Sequence, residues 1–255
     1  MSELDEWMAA TTPFHTFEAC DTKKLELIMA MLAEYTNPPK STPKSTPKST
    51  PKSTPKSVQD GEPPGGKTAS GDEVFSSEFR VMMGNEEIVF RLESQGVVEP
   101  KSRGEIDWDD ATMAWLCSLP GNEGLPKPLG NDKSRERLGR FPSGDGNPLS
   151  YLLEYITPFD AGEELLSLIS KLSRRFSKEN IGHENYLNGP GGISMLGYLS
   201  ADEARELQQL LTRGKWAVSS DEVFDGGVRE IAKYLVIVLR QASSRGNGVL
   251  LRTHS

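Results

Sequence analysis

The chain has 255 residues, a formal net charge of -8 and 36% hydrophobic residues. This length suits one ordinary domain, or one domain with a small companion. The acidic balance argues against nucleic acid as the main partner, because phosphate binding needs clustered Lys and Arg, and against docking on anionic membrane surfaces.

Two cysteines, Cys20 and Cys117, make neither a disulfide framework nor a zinc spacing. The start Met1-Ser2-Glu3-Leu4-Asp5-Glu6 lacks the basic and apolar regions of a secretory signal. The longest purely apolar stretch, Leu235 to Leu239, falls far short of the ~20 residues a membrane helix needs. A cytoplasmic protein with no membrane partner is the expectation.

In chain order, Phe14 to Ala19 reads as a short strand. Asp21 then caps a helix to about Tyr35, with Leu25, Ile28, Met29 and Leu32 on one face, and Asn37-Pro38-Pro39 stops it. From Lys40 to Ser57 the unit Lys-Ser-Thr-Pro repeats, bringing five lysines and no acid, so the rest of the chain is more acidic than the whole. The repeat has no apolar side chain to offset the entropy of ordering. It is expected to be a disordered linker, extending in polyproline II form to roughly 55 Å. With Gly/Pro-rich flanks the linker runs over 38–73, which divides the chain into an N-terminal segment, 1–37, that docks on the remainder, and a main α+β domain, 74–255.

Beyond the linker, Phe79, Val81 and Met83 alternate with other residues, as do Ile88, Phe90 and Leu92, with Gly84-Asn85 between the runs. This pattern predicts a β-hairpin with a two-residue turn. Asp107 is placed to cap a helix through Cys117, with Asp109 and Asp110 in its first turn. Asn147-Pro148 opens a helix to Ile156. The pairs Asp160/Glu163 and Ser200/Glu203 have capping-box spacing and open two amphipathic helices, the second ending by Gly214. A last helix runs from near Asp225 to Arg245 and stops at Gly246, and Val249 to Thr253 follows as a strand. The expected fold is therefore α+β, helix-rich, with a small antiparallel sheet built from the hairpin and the terminal strands.

Few motifs carry chemistry. Gly61 to Thr68 matches the phosphate-loop pattern GxxxxGK[ST], but no buried strand precedes it, Gly71 interrupts any helix after it, and two prolines remove amide donors. Thr42, Thr46, Thr50 and Thr54 each precede proline and are candidate phosphorylation sites; phosphates there would reverse the charge of the repeat. The candidate binding loop is His183, Glu184, Asn185 and Tyr186, in a Gly-rich connection of the kind that often carries function. No cofactor motif and no metal site is read. Cys117, beside Trp115 and Leu116, reads as a buried structural thiol.

The residues Gly197-Tyr198-Leu199-Ser200 with Glu203, and Arg245-Gly246-Asn247-Gly248 leading into Val249-Leu250-Leu251, resemble the C-terminal part of an uncharacterised bacterial domain family of unknown function. Tyr151-Leu152-Leu153-Glu154 is similar to a helix such proteins carry earlier. The resemblance implies an α+β fold with small terminal strands and no known activity, and the chain departs from it where Arg252-Thr253-His254 replaces aromatic residues. Without a catalytic constellation, the expected function is a protein-binding or regulatory module, for example a toxin-neutralising one, whose partner is another protein. The alternative is an enzyme with a site assembled around the His183 loop.

Deleting Lys40 to Ser57 should leave the fold intact. Shortening the connection changes loop-closure entropy by well under ~1 kcal/mol, so the midpoint of thermal unfolding should move by less than ~4 °C. Loss of cooperative melting in the deletion variant would show that the repeat packs on the domain.

Overall fold

The computed structural model describes residues 14–33, 77–121, 124–127, 137–138, 147–159, 162–176, 181, 183 and 185–254. The repeat, its phosphorylation candidates, the phosphate-loop match and Asp160 lie outside the described residues. The strands are β1 (Phe14–Cys20), β2 (Arg137–Leu138), β3 (Ile156–Pro158), β4 (Ile193–Leu199), β5 (Trp216–Val218) and β6 (Gly248–His254). The helices are α1 (Thr22–Ala33), α2 (Ser77–Met83), α3 (Glu86–Ser94), α4 (Asp110–Cys117), α5 (Pro148–Tyr155), α6 (Glu163–Arg174), α7 (Ala201–Arg213) and α8 (Gly227–Ser244). The fold is helix-rich α+β with small antiparallel sheets.

The main sheet has the order β2-β1-β6-β4, and a separate ribbon pairs β3 with β5. All these pairings are antiparallel. Strand β6 lies between β1, with Phe17 opposite Leu251, and β4, with Tyr198 opposite Leu250. A bulge between Met195 and Gly197 shifts the β4 register. Leu196 thereby leaves the ladder, and its carbonyl instead accepts from Phe176 N–H (2.8 Å) just beyond α6.

The alternation of side chains along β1 and β6 sends apolar groups to both faces. Phe17, Ala19, Val249 and Leu251 join α5, α6, α7 and α8 in one core. Cys20, Leu250, Met195 and Tyr198 join α1, α2, α3 and α4 in the other. The run Val249 to Arg252 is therefore buried throughout, the pattern of a strand covered on both sides. Face by face, helix α1 supplies Leu25, Ile28 and Leu32 to the second core, at the predicted spacing.

The expected hairpin over Phe79 to Leu92 is corrected by the structure: the segment is two helices, α2 and α3. Burial follows the helical period, with Phe79 and Met82 inside and then Ile88, Arg91 and Leu92. Val81 and Phe90, which a hairpin would turn inward, are 56% and 47% exposed. Asn85 is no turn residue. Its side chain accepts from the N–H groups of Glu87 and Ile88 and so caps α3. Two smaller starts also differ from expectation: Asp109 rather than Asp107 caps α4, accepting from Thr112 N–H (2.7 Å), and Gly162 occupies the N-cap of α6.

Other signals act as read. Asp21 accepts from Lys24 N–H at the start of α1, Asn147 caps α5 with Pro148 in the first turn, and Ser200 with Glu203 forms a complete capping box. Gly197 permits close packing on the sheet. A Cβ there would collide with the carbonyl oxygens of Lys171 and Leu172, where α6 crosses β4.

Replacing Gly197 with Ala should therefore destabilise the protein by about 2–4 kcal/mol, at or above the usual range for overpacking, because the obstructing atoms are backbone. Urea denaturation would measure this; a change below ~0.5 kcal/mol would show that α6 moves freely off the strand.

Candidate functional site

The His183 loop packs against the start of α4. His183 is buried, and its backbone carbonyl accepts from Tyr186 N–H (3.1 Å). Asn185 is exposed, and Glu184 lies outside the described residues. Tyr186 is fully buried, and its hydroxyl donates to Asp110 Oδ1 (2.6 Å). Gly189 N–H donates to Asp110 Oδ2 (3.1 Å). A parallel bridge joins Asp109 to Leu187. The loop is thus gathered onto one buried carboxylate.

Burial pushes the Asp110 carboxyl above its ordinary value, and the donors from Tyr186 and Gly189 oppose this. Burial, then the hydrogen bond and charge of Asp110, raise the Tyr186 hydroxyl well above its usual value. A tyrosine so raised holds its proton and acts as a hydrogen-bond donor. Sequence reading placed Asp110 in a helix start and Tyr186 in a binding loop, without any local signal that the two meet.

Other charged groups serve as joints. Arg91, fully buried, donates from Nη1 to the carbonyls of Trp115 (3.2 Å), Leu116 (2.6 Å) and Ser118 (2.7 Å), satisfying the C-terminal end of α4. Its Nη2 binds Glu87 (2.5 Å), which also binds Lys24. Arg175 stacks on the Tyr198 ring, 4.0 Å from its centroid, and donates to Glu203 (2.8 Å). Burial opposes the charge on Glu203, but Ser200 N–H, Arg175 and Lys171 outweigh it and hold the carboxyl below its usual value.

A different surface is left open. On the β3–β5 ribbon, Ile156, Trp216 and Val218 pack on the core, while Thr157 and Phe159 point outward. Phe159 is 52% exposed, and Val223 and Phe224 of the following loop are 69% and 57% exposed. The Tyr151 ring lies 4.7 Å from that of Tyr155 and 5.7 Å from that of Phe224, while Phe159 stands at the other end of the ribbon, where its N–H donates to the Lys215 carbonyl. The Tyr151 hydroxyl also accepts from Phe224 N–H (3.1 Å), which fixes the loop. Exposed Glu154, Asp221 and Asp225 border these rings. Neither Phe159 nor Phe224 had a sequence signal beyond being aromatic beside proline or in an acidic turn.

A shallow depression lies at Gly162, Glu163, Glu164 and Ser167. Among the described residues no group of three or more His, Cys, Asp or Glu is placed to hold a metal ion, and no helix is long and apolar enough to cross a membrane. Comparison of the chain with protein-family models, with curated proteins and with solved structures finds no match in any of the three.

Asp110→Ala should cost about 2–4 kcal/mol, since it strands the buried Tyr186 hydroxyl and the Gly189 N–H together. Tyr186→Phe should cost about 1–2 kcal/mol by removing one of those bonds. Chemical denaturation of both variants measures this; equal, near-zero effects would mean that the loop is held by other contacts.

Proposed function

We propose that this chain is a protein-binding module of regulatory type, which engages its partner through the exposed loop after β5 together with the adjoining β3–β5 ribbon. The observation that carries the reading is the exposure of Val223 and Phe224 on one loop, with Phe224 against half-buried Tyr151 and Tyr155, and of Phe159 at the end of β3. Large exposed apolar groups gathered in one place mark interaction surfaces, whereas scattered ones do not. Aromatic residues are also the commonest anchors of binding energy. The rim of Glu154, Asp221 and Asp225 favours a basic partner and would steer its approach. A toxin-neutralising role is one form such a regulator could take. The buried polar groups of the His183 loop support its architecture, and so favour this reading over an enzyme.

The double variant Phe159→Ser/Phe224→Ser tests the proposal. Both side chains are exposed, so thermal stability should change by no more than about 1 kcal/mol. Cross-linking and affinity capture from the source cell should retain a partner on the parent protein. The double variant should bind that partner at least ~100-fold more weakly, about 1.4 kcal/mol for each anchor lost. Equal affinity of parent and variant for the retained partner would refute the assignment of this face.

A further inference from the structure

Cys20 ends β1 and Cys117 ends α4, one on each side of the repeat in sequence. The fold brings them together. Asp21 N–H donates to the Cys117 carbonyl (2.8 Å), and Cys20 pairs with Ser118 in an isolated antiparallel bridge. Both cysteines are free, fully buried and part of the same core. This backbone pairing sets the two residues side by side, and the neighbouring Cys117, then burial, raises the Cys20 thiol well above its ordinary value.

The charges around the pair are asymmetric. Arg91 holds the carbonyls on either side of Cys117, so its guanidinium lies at the Cys117 end of α4. Its Nε has no hydrogen-bond partner among the described residues. Glu18 and Asp21 place negative charge by Cys20. A cation favours sulfur as a nucleophile, and neighbouring anions oppose it.

We propose that Cys20 and Cys117 form an oxidative modification site, at which hydrogen peroxide converts the two thiols into a disulfide. In the first step Cys117 sulfur, its proton lost, attacks a peroxide oxygen. The O–O bond breaks, the leaving oxygen takes up a proton as water, and Cys117 becomes a sulfenic acid. Cys20 sulfur then attacks Cys117 sulfur, the S–O bond breaks and a second water leaves. Two thiols have lost two electrons and two protons, and the peroxide is reduced to two waters. Burial makes this a slow, dose-dependent response, paced by local opening of the core and not by a surface collision.

The product has a structural consequence. The bond joins β1 and α1 to the part of the chain beyond residue 76. When the thiols are reduced, a cut within the lysine-rich repeat leaves β1 held by strand pairing and packing alone. When they are oxidised, it stays covalently attached.

The test uses the full folded chain, treated with graded hydrogen peroxide and then alkylated under denaturing conditions. The expected product has lost about 2 Da, carries no alkyl group and maps to a Cys20–Cys117 disulfide. After tryptic nicking of the repeat, denaturing electrophoresis should keep the two pieces together without reductant and separate them with it. The thermal midpoint should rise by roughly 10 °C, because the bond closes a long loop. In Cys20→Ser, or Cys20→Ala if serine disturbs the packing, Cys117 should instead gain about 16 or 32 Da. Two alkylatable thiols after treatment, a disulfide formed only between chains, or a disulfide formed only in denaturant would each overturn the proposal.

Discussion

Burial of β6 on both faces is the constraint on which the rest of the structure depends. A strand carrying Val249 and Leu251 on one side and Leu250 and Arg252 on the other must be covered twice. One cover comes from α5, α6, α7 and α8, which follow one another along the chain. The other draws on α1, before the repeat, and on α2, α3 and α4, after it. Arg252 adds an electrostatic demand. Fully buried, it donates from Nε to Glu18 Oε1 at 2.5 Å, and Glu18 belongs to β1. An unpaired charge at this position would cost several kcal/mol. Pairing of β1 with β6 thus supplies hydrogen bonds, apolar cover and the counter-ion at once, which is why residues 14–33 are integral to the sheet and its second core.

The remaining buried polar groups act where regular structure ends. Arg91 takes up carbonyls that α4 cannot satisfy itself. Asp110, at the other end of the same helix, collects donors from the loop before β4. Helix α4 is short, and both of its ends are fastened by charged side chains in the second core. Glu203 serves α7 in the same way, closing its capping box while bonding Arg175 and Lys171 of α6 and the turn after it. Such groups rigidify the fold because a half-satisfied network would be worse than none.

Local chemistry made much of this legible in the sequence. Caps at Asp21, Asn147 and Ser200, stops at Gly214 and Gly246, and the first and last strands, β1 and β6, all follow from residue type and spacing. The segment from Phe79 to Leu92 misleads because two short helices joined at Gly84-Asn85 present the same letters as a hairpin. The difference lies in Asn85 capping α3 and in Arg91 reaching across to α4, and only the second is beyond the reach of local reading. Strand β4 escapes notice because Gly197 and the bulge at Leu196 break its alternation. Asp110 with Tyr186, and Cys20 with Cys117, are contacts between distant segments that no window of sequence contains.

The glycines, aromatics and capping residues of the C-terminal half have structural work assigned to them. Gly197 admits α6, Gly248 lies where a side chain would strike Leu199 and Thr22, and Gly246 takes a positive φ. Tyr198 carries Arg175, Ser200 and Glu203 cap α7, and Tyr151 fixes the loop bearing Phe224. A motif built of such residues specifies an architecture and leaves the chemistry open. The buried charged groups are similarly engaged in joining elements. What has no such internal duty is the exposure of Val223 and Phe224 in the loop after β5 and of Phe159 at the end of β3, which meet water although a core was available to the chain. Exposing them costs apolar burial that folding alone would recover, and it is on this cost that the proposed binding face rests.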